Sequence, residues 1–180
     1  GQEKNAPKVE CIVSDVHNQI FFGTNKGLVS YNGLEYTSIP LSDDEPRWIT
    51  SLAYDSANVL WIGTKSGEIF KYSNQIVVPF LHETFSETGR IGAITHTKNG
   101  TIVSTYGAGV FFVNNDSILK HVTSENGLAD DYTYDAVQHN SFVWIATDGG
   151  IAKLSLQGDA IDLLKTKDGL PDNIVHKILE

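Results

Sequence analysis

The sequence predicts an all-β protein built from repeated four-stranded units, and three observations carry that reading. First, a short bulky segment ending in threonine recurs four times: Ile20 to Thr24, Val59 to Thr64, Thr101 to Thr105 and Val143 to Thr147. Second, its last residues, Thr24, Thr64, Thr105 and Thr147, are spaced by 40, 41 and 42 residues, a period that marks a repeat architecture. Third, the stretches between these segments alternate apolar and polar residues and show no helical period. Four short strands in each unit of some forty residues is the pattern of β-propeller blades.

The elements follow in order. The lead-in 1–8 is polar and reads as a frayed or disordered segment, while 9–180 reads as propeller repeats. The first blade covers about 9–41, with strands at Val9 to Asp15, Ile20 to Thr24, Leu28 to Tyr31 and Glu35 to Leu41. The second covers 48–81. Its strands are Trp48 to Asp55, Leu60 to Thr64, Glu68 to Tyr72 and Gln75 to Leu81, with Lys65-Ser66-Gly67 as a tight turn. Pro79 cannot donate to a ladder, which suits an outer strand. The third covers 90–123 and the fourth 132–165 on the same plan. Ile174 to Glu180 then reads as the first strand of a fifth blade. The expected fold is therefore four blades plus one strand, a partial propeller. Three readings stand side by side: part of a longer ring, a closed four-bladed ring, or a half-ring completed by a second copy. The strand at 174–180 favours the first.

Each blade has two faces to bury, and the aromatic of its second strand fills the gap to the next blade. Phe21, Trp61 and Trp144 are thus expected to be structural; burying such a ring contributes roughly 3–5 kcal/mol. An uncovered end face would expose apolar surface, so self-association through open blade faces is expected.

Composition bounds the function. Of 180 residues, 41% are hydrophobic and 19% charged, enough for a core and too apolar for disorder. The net charge of −9 disfavours binding to nucleic acid or to an anionic membrane. No apolar run is long enough to insert in a bilayer. The single cysteine, Cys11, permits no disulfide within the chain, and its place in an apolar strand predicts an inert core thiol.

Trp-Ile-Gly-Thr at 61–64, its variant at 144–147, Gly27-Leu28 with Tyr31, Gly127-Leu128, and Asp168-Gly-Leu-Pro-Asp-Asn-Ile-Val175 together resemble the two-component regulator propeller repeat. The third blade departs, with Ile102 for the aromatic and Ser104 for the glycine. The resemblance spans almost the whole chain. It implies the periplasmic sensor region of a Bacteroidetes hybrid two-component system: extracytoplasmic, non-catalytic, and recognising a glycan or another extracellular cue, with an oligosaccharide or a protein as partner.

Catalytic and metal chemistry find little support in the residues. The six histidines lack metal-ligand spacing and no cofactor is implied. The acidic runs Asp43-Asp44-Glu45 and Asp130-Asp131 lack the spaced pattern of a calcium loop. Ser14, Asp15 and His17 do not share one strand face. Binding is better supported. The loops from fourth to first strand and from second to third strand share one face of a propeller, around its central opening. They carry Arg47, Trp48, Arg90, Tyr106, Asp130, Asp131 and Tyr132, a mixture that can stack on sugar rings and hydrogen-bond hydroxyls or a uronate. Two plainer readings stay open: that Trp48 and Tyr132 plug the channel side of their own blades, and that the arginines only solvate the rim. The enzyme alternative is a propeller similar to streptogramin lyase, for which His96 and His176 are the candidates beside first strands. A purely structural docking module is a third reading.

Overall fold

The structure is a computed structural model and describes residues 6–42, 46–114 and 117–179. The acidic run at 43–45 and the first five residues lie outside the described residues.

Among the described residues sixteen strands form four antiparallel sheets of four, each in simple up-and-down order. Blade one is β1 (Val9–Ser14), β2 (Ile20–Thr24), β3 (Gly27–Tyr31) and β4 (Tyr36–Ile39). Blade two is β5 (Ile49–Tyr54), β6 (Leu60–Thr64), β7 (Ile69–Ser73) and β8 (Ile76–Pro79). Blade three is β9 (Ile91–Thr97), β10 (Gly100–Thr105), β11 (Val110–Val113) and β12 (Ile118–Val122). Blade four is β13 (Thr133–His139), β14 (Phe142–Thr147), β15 (Gly150–Ser155) and β16 (Ala160–Leu164). The expected all-β propeller fold is what forms. The helical exceptions among the described residues are one turn, α1 (His82–Phe85), and a 3₁₀ turn at Thr166–Asp168, both in loops from a fourth strand to the next blade. Pro79 lies at the end of the outer strand β8, opposite Phe70.

The core lies in three layers between blades. Phe21 and Leu28 meet Ile49, Leu60, Ile62 and Phe70 between blades one and two. Trp61 meets Ile94, Val103 and Phe111 between blades two and three, with Phe80 and Phe85 from the loop region sealing its outer side. Ile102 and Phe112 meet Ala136, Val143 and Ile145 between blades three and four. The glycine of the Trp-Ile-Gly-Thr motif has a steric cause here. A Cβ on Gly63 would lie 2.6 Å from Cγ2 of Ile91, and one on Gly23 would lie 2.6 Å from Cγ2 of Ile49. The next blade's isoleucine occupies that space. The third blade can carry Ser104 instead because the residue corresponding to Ile49 and Ile91 in the following strand is the smaller Thr133. At Gly67 the tight turn needs a φ of +91°, and a Cβ would lie 2.5 Å from the Phe85 carbonyl oxygen.

Polar seams tie the inner strands of successive blades together. The Thr50 hydroxyl donates to the Ile91 carbonyl (2.7 Å), the Ser51 hydroxyl accepts from the Ile94 N–H (2.9 Å), and Thr95 donates to the Ala136 carbonyl (2.7 Å). Thr133 Oγ1 accepts from the Thr105 N–H (2.8 Å) and donates to its carbonyl (2.9 Å).

The segment expected as a fifth-blade strand at 174–180 needs correction. Residues 174–179 form no ladder, because no second strand of that blade lies beside them among the described residues. They nonetheless occupy the inner-strand place. The Ile178 N–H donates to Asp135 Oδ2 (3.0 Å) across 43 residues, the same separation as the Ile94–Ser51 bond, and the Val175 N–H donates to the Thr147 carbonyl (3.0 Å).

Candidate functional site at the channel mouth

The inner strands β1, β5, β9 and β13, together with 176–179, line an open central cavity of about 930 Å³. One register position of the repeat faces it throughout: Glu10, Thr50, Gly92, Tyr134 and His176 all line it. The lack of a side chain at Gly92 matters, since a Cβ there would lie 3.0 Å from Cε1 of Tyr106. Tyr106, which comes from the loop after β10, folds inward over that glycine.

A continuous row of rings results. The Arg90 guanidinium lies over the Tyr106 ring (5.0 Å to its centroid), Tyr106 meets Tyr134 edge-on (4.9 Å), and Tyr134 meets His176 edge-on (4.5 Å). The Tyr134 hydroxyl donates to Asp148 Oδ1 (2.6 Å). That hydrogen bond, followed by burial, pushes the phenol up to about 12, so it stays a neutral donor at physiological pH. On the opposite side Lys8 pairs with Glu10 (2.9 Å). Its hydrogen bond holds the Glu10 carboxyl below the ordinary range, against the opposing effect of burial; the charges of Lys8 and Arg90 and the Trp48 N–H add to the lowering. On the same cavity wall the buried Asp135 pairs with the exposed Lys177 (3.0 Å). Arg90 makes no ion pair among the described residues, and its Nε is buried without a hydrogen-bond partner.

The seven residues read from the sequence divide accordingly. Arg90 and Tyr106 come together in this row. Tyr132 stands half-exposed beside it, bridged through its backbone to Tyr106. Trp48 carries Lys65 Nζ over its ring at 3.8 Å. Arg47 is turned to the buried Glu68 (Nε–Oε2 2.8 Å), whose carboxylate also accepts from Ser66. Asp130 accepts from the Tyr132 N–H (2.8 Å), and Asp131 accepts from the N–H and hydroxyl of Ser124 (2.6 and 3.0 Å), so both carboxylates hold their own loop. Tyr134 and Glu10 were not singled out in the sequence. The signal was available, since 10, 50, 92, 134 and 176 recur at the repeat spacing.

Burial pushes the Cys11 thiol up to about 12, which fits an inert core residue. Asp15 Oδ1 accepts from the N–H groups of His17 and Gln19 and so closes a turn. No group of three or more His, Cys, Asp or Glu side chains able to hold a metal ion occurs among the described residues.

With this geometry in place, a comparison by sequence is decisive. The model of the two component regulator propeller family matches residues 45–66, the stretch that enters β5 and runs through Trp61-Ile62-Gly63-Thr64. At residues 45–66 the chain is thus similar to the two component regulator propeller repeat. Solved structures with the same fold include the extracellular domains of two hybrid two-component systems from B. thetaiotaomicron. One has 20% identity and a TM-score of 0.80 over 94% of this chain; the other has 26% identity and a TM-score of 0.66 over 81%. The chain described here spans only 24% and 21% of those chains. Virginiamycin B lyase from Staphylococcus aureus shares the fold at 10% identity, with a TM-score of 0.71 over 92% of this chain and 57% of the lyase. No curated protein matches the sequence. No described helix is long and apolar enough to cross a membrane.

Proposed function

We propose that this regulator propeller is a non-catalytic, extracytoplasmic recognition module that works like the input domain of a two-component histidine kinase and binds an oligosaccharide at the channel mouth. The observation that supports it is the row Arg90–Tyr106–Tyr134–His176, of which Arg90, Tyr134 and His176 line the central cavity. Aromatic edges and faces suit the C–H faces of sugar rings, and a guanidinium beside them supplies hydrogen bonds to oxygen. The cavity volume lies in the range of small-molecule sites. The extracellular domains with the same fold favour the extracytoplasmic reading.

The test is calorimetric titration of the chain with a panel of oligosaccharides. Binding should occur to at least one glycan class and weaken at least tenfold, about 1.4 kcal/mol, on Tyr106→Ala. Binding that is indifferent to Tyr106→Ala moves the site elsewhere. Turnover of virginiamycin B by the chain, with or without added divalent metal, would replace this reading with the lyase one.

The exposed end face of blade one also supports a second copy of the chain as partner, through self-association. Phe22 and Val29 there correspond to Ile62 and Phe70, which are buried against blade one.

A further inference from the structure

We propose that Asn99 is a self-modification site, at which the folded chain converts an asparagine to aspartate and isoaspartate through a cyclic imide. Three Asn-Gly pairs occur in the sequence, at 32–33, 99–100 and 126–127. Such pairs are chemically labile, because a glycine has no side chain to hinder the approach of its nitrogen to the asparagine amide. All three asparagines are exposed, so access to water does not separate them. Their side-chain hydrogen bonds do. Asn32 Oδ1 accepts from the N–H groups of Leu34 (2.9 Å) and Glu35 (3.0 Å). Asn126 Oδ1 accepts from the Thr123 N–H (2.7 Å), and its Nδ2 donates to the His121 carbonyl (3.3 Å). Asn99 is held through its backbone N–H, which donates to Thr97 Oγ1 (3.2 Å), and its side-chain amide makes no hydrogen bond among the described residues.

The reaction needs that freedom. The Gly100 nitrogen, on losing its proton to hydroxide, attacks Cγ of Asn99. The new C–N bond closes the imide, and the side-chain nitrogen takes up a proton from water and leaves as ammonia. Water then opens the ring at one carbonyl to give aspartate or at the other to give isoaspartate. An amide that is already pinned must give up its bonds before Cγ can turn toward the next nitrogen; the Asn99 amide has none to give up. The turn must also open briefly. Its tip is Lys98 and Asn99 between β9 and β10, and an exposed tip at the end of a ladder opens at low cost. The two products act differently. Aspartate keeps the path of the chain and adds one negative charge to a net −9. Isoaspartate routes the main chain through the side-chain carboxyl and so lengthens the loop that sets the register of β9 on β10. Arg90 precedes β9 and Asn99 follows it. The change therefore arises at the far end of that strand from the channel mouth, and β9 itself lines the cavity.

The experiment ages the folded chain and the guanidinium-unfolded chain in mildly alkaline buffer and follows the three asparagines by peptide mass mapping. Labelling with an isoaspartyl methyltransferase marks the isoaspartate. The unfolded chain supplies the reference rate at each site. Folding should slow Asn32 and Asn126 roughly tenfold more than Asn99, since two hydrogen bonds of ordinary net strength must break at each. The isoaspartate label in the folded chain should fall on the peptide that holds residue 99. Asn99→Gln, whose longer side chain would have to close a larger ring, should remove that label and leave the circular dichroism spectrum unchanged. Equal slowing at all three sites overturns the proposal, and so does slowing at Asn99 greater than at the other two.

Discussion

Trp61 and Trp144 hold the same place in two repeats, each with a lysine over its ring, Lys71 at 4.1 Å and Lys153 at 5.1 Å. Their surroundings differ. Trp61 is 1% exposed between blades two and three, whereas Trp144 is only partly buried on the outward face of blade four. Trp61→Ala should therefore cost about 3–5 kcal/mol in urea unfolding, and Trp144→Ala less than half as much. Equal losses would show that Trp144 is as well packed as Trp61. The same comparison shows how far the repeat could be read without coordinates. The aromatic, the glycine and the threonine each answer to a local steric need that recurs with the period, so they were legible. Which face lacks a neighbour depends on the blades that surround it, which no single repeat records.

At the scale of the element, the inner strands are joined edgewise through side-chain hydroxyls more than through backbone pairing. Thr133 is fully buried at the start of β13 and satisfies both the N–H and the carbonyl of Thr105. Thr133→Val keeps the shape and removes these bonds, while the Thr105 N–H keeps its bond to the Gly109 carbonyl (3.1 Å), so it should destabilise the fold by about 0.5–1.5 kcal/mol. Amide exchange at Thr105 should accelerate with it. Unchanged exchange there would mean the seam carries little of the stability. The short helical turn α1 was not foreseen. Its four residues are too few for a periodic pattern, and it forms because Phe85 drops into the layer beside Phe111 and Phe80. The channel-mouth site was legible only in part for a related reason. Its members come from different strands and loops of blades one, three and four and from the segment beyond. Arg90 and Tyr106 were visible as aromatic and basic residues in the right loops. Arg47 looked equivalent until Glu68, a buried neighbour on its own blade, took up its charge.

At the scale of the whole molecule, blade one presents a large face with no neighbouring blade among the described residues. Ile12 is 62% and Tyr36 69% exposed there, while Ile94, the counterpart of Ile12 in blade three, is only 6% exposed. Sedimentation equilibrium of the chain should reveal association that strengthens with concentration, and Ile12→Glu with Tyr36→Glu should return it to monomer. A monomer at all concentrations would show that this face tolerates water.

The bond from Ser51 to Ile94 and the bond from Asp135 to Ile178 span the same number of residues and do the same job at two boundaries. These two junctions are thus cut to one gauge. A duplication or loss of one unit of about 41 residues would leave matching surfaces on both sides of the splice, whereas half a unit would set a wrong strand against each neighbour. Such a gene can change the length of its product in whole steps without first reinventing an interface, and the set of residues facing the axis changes with every step.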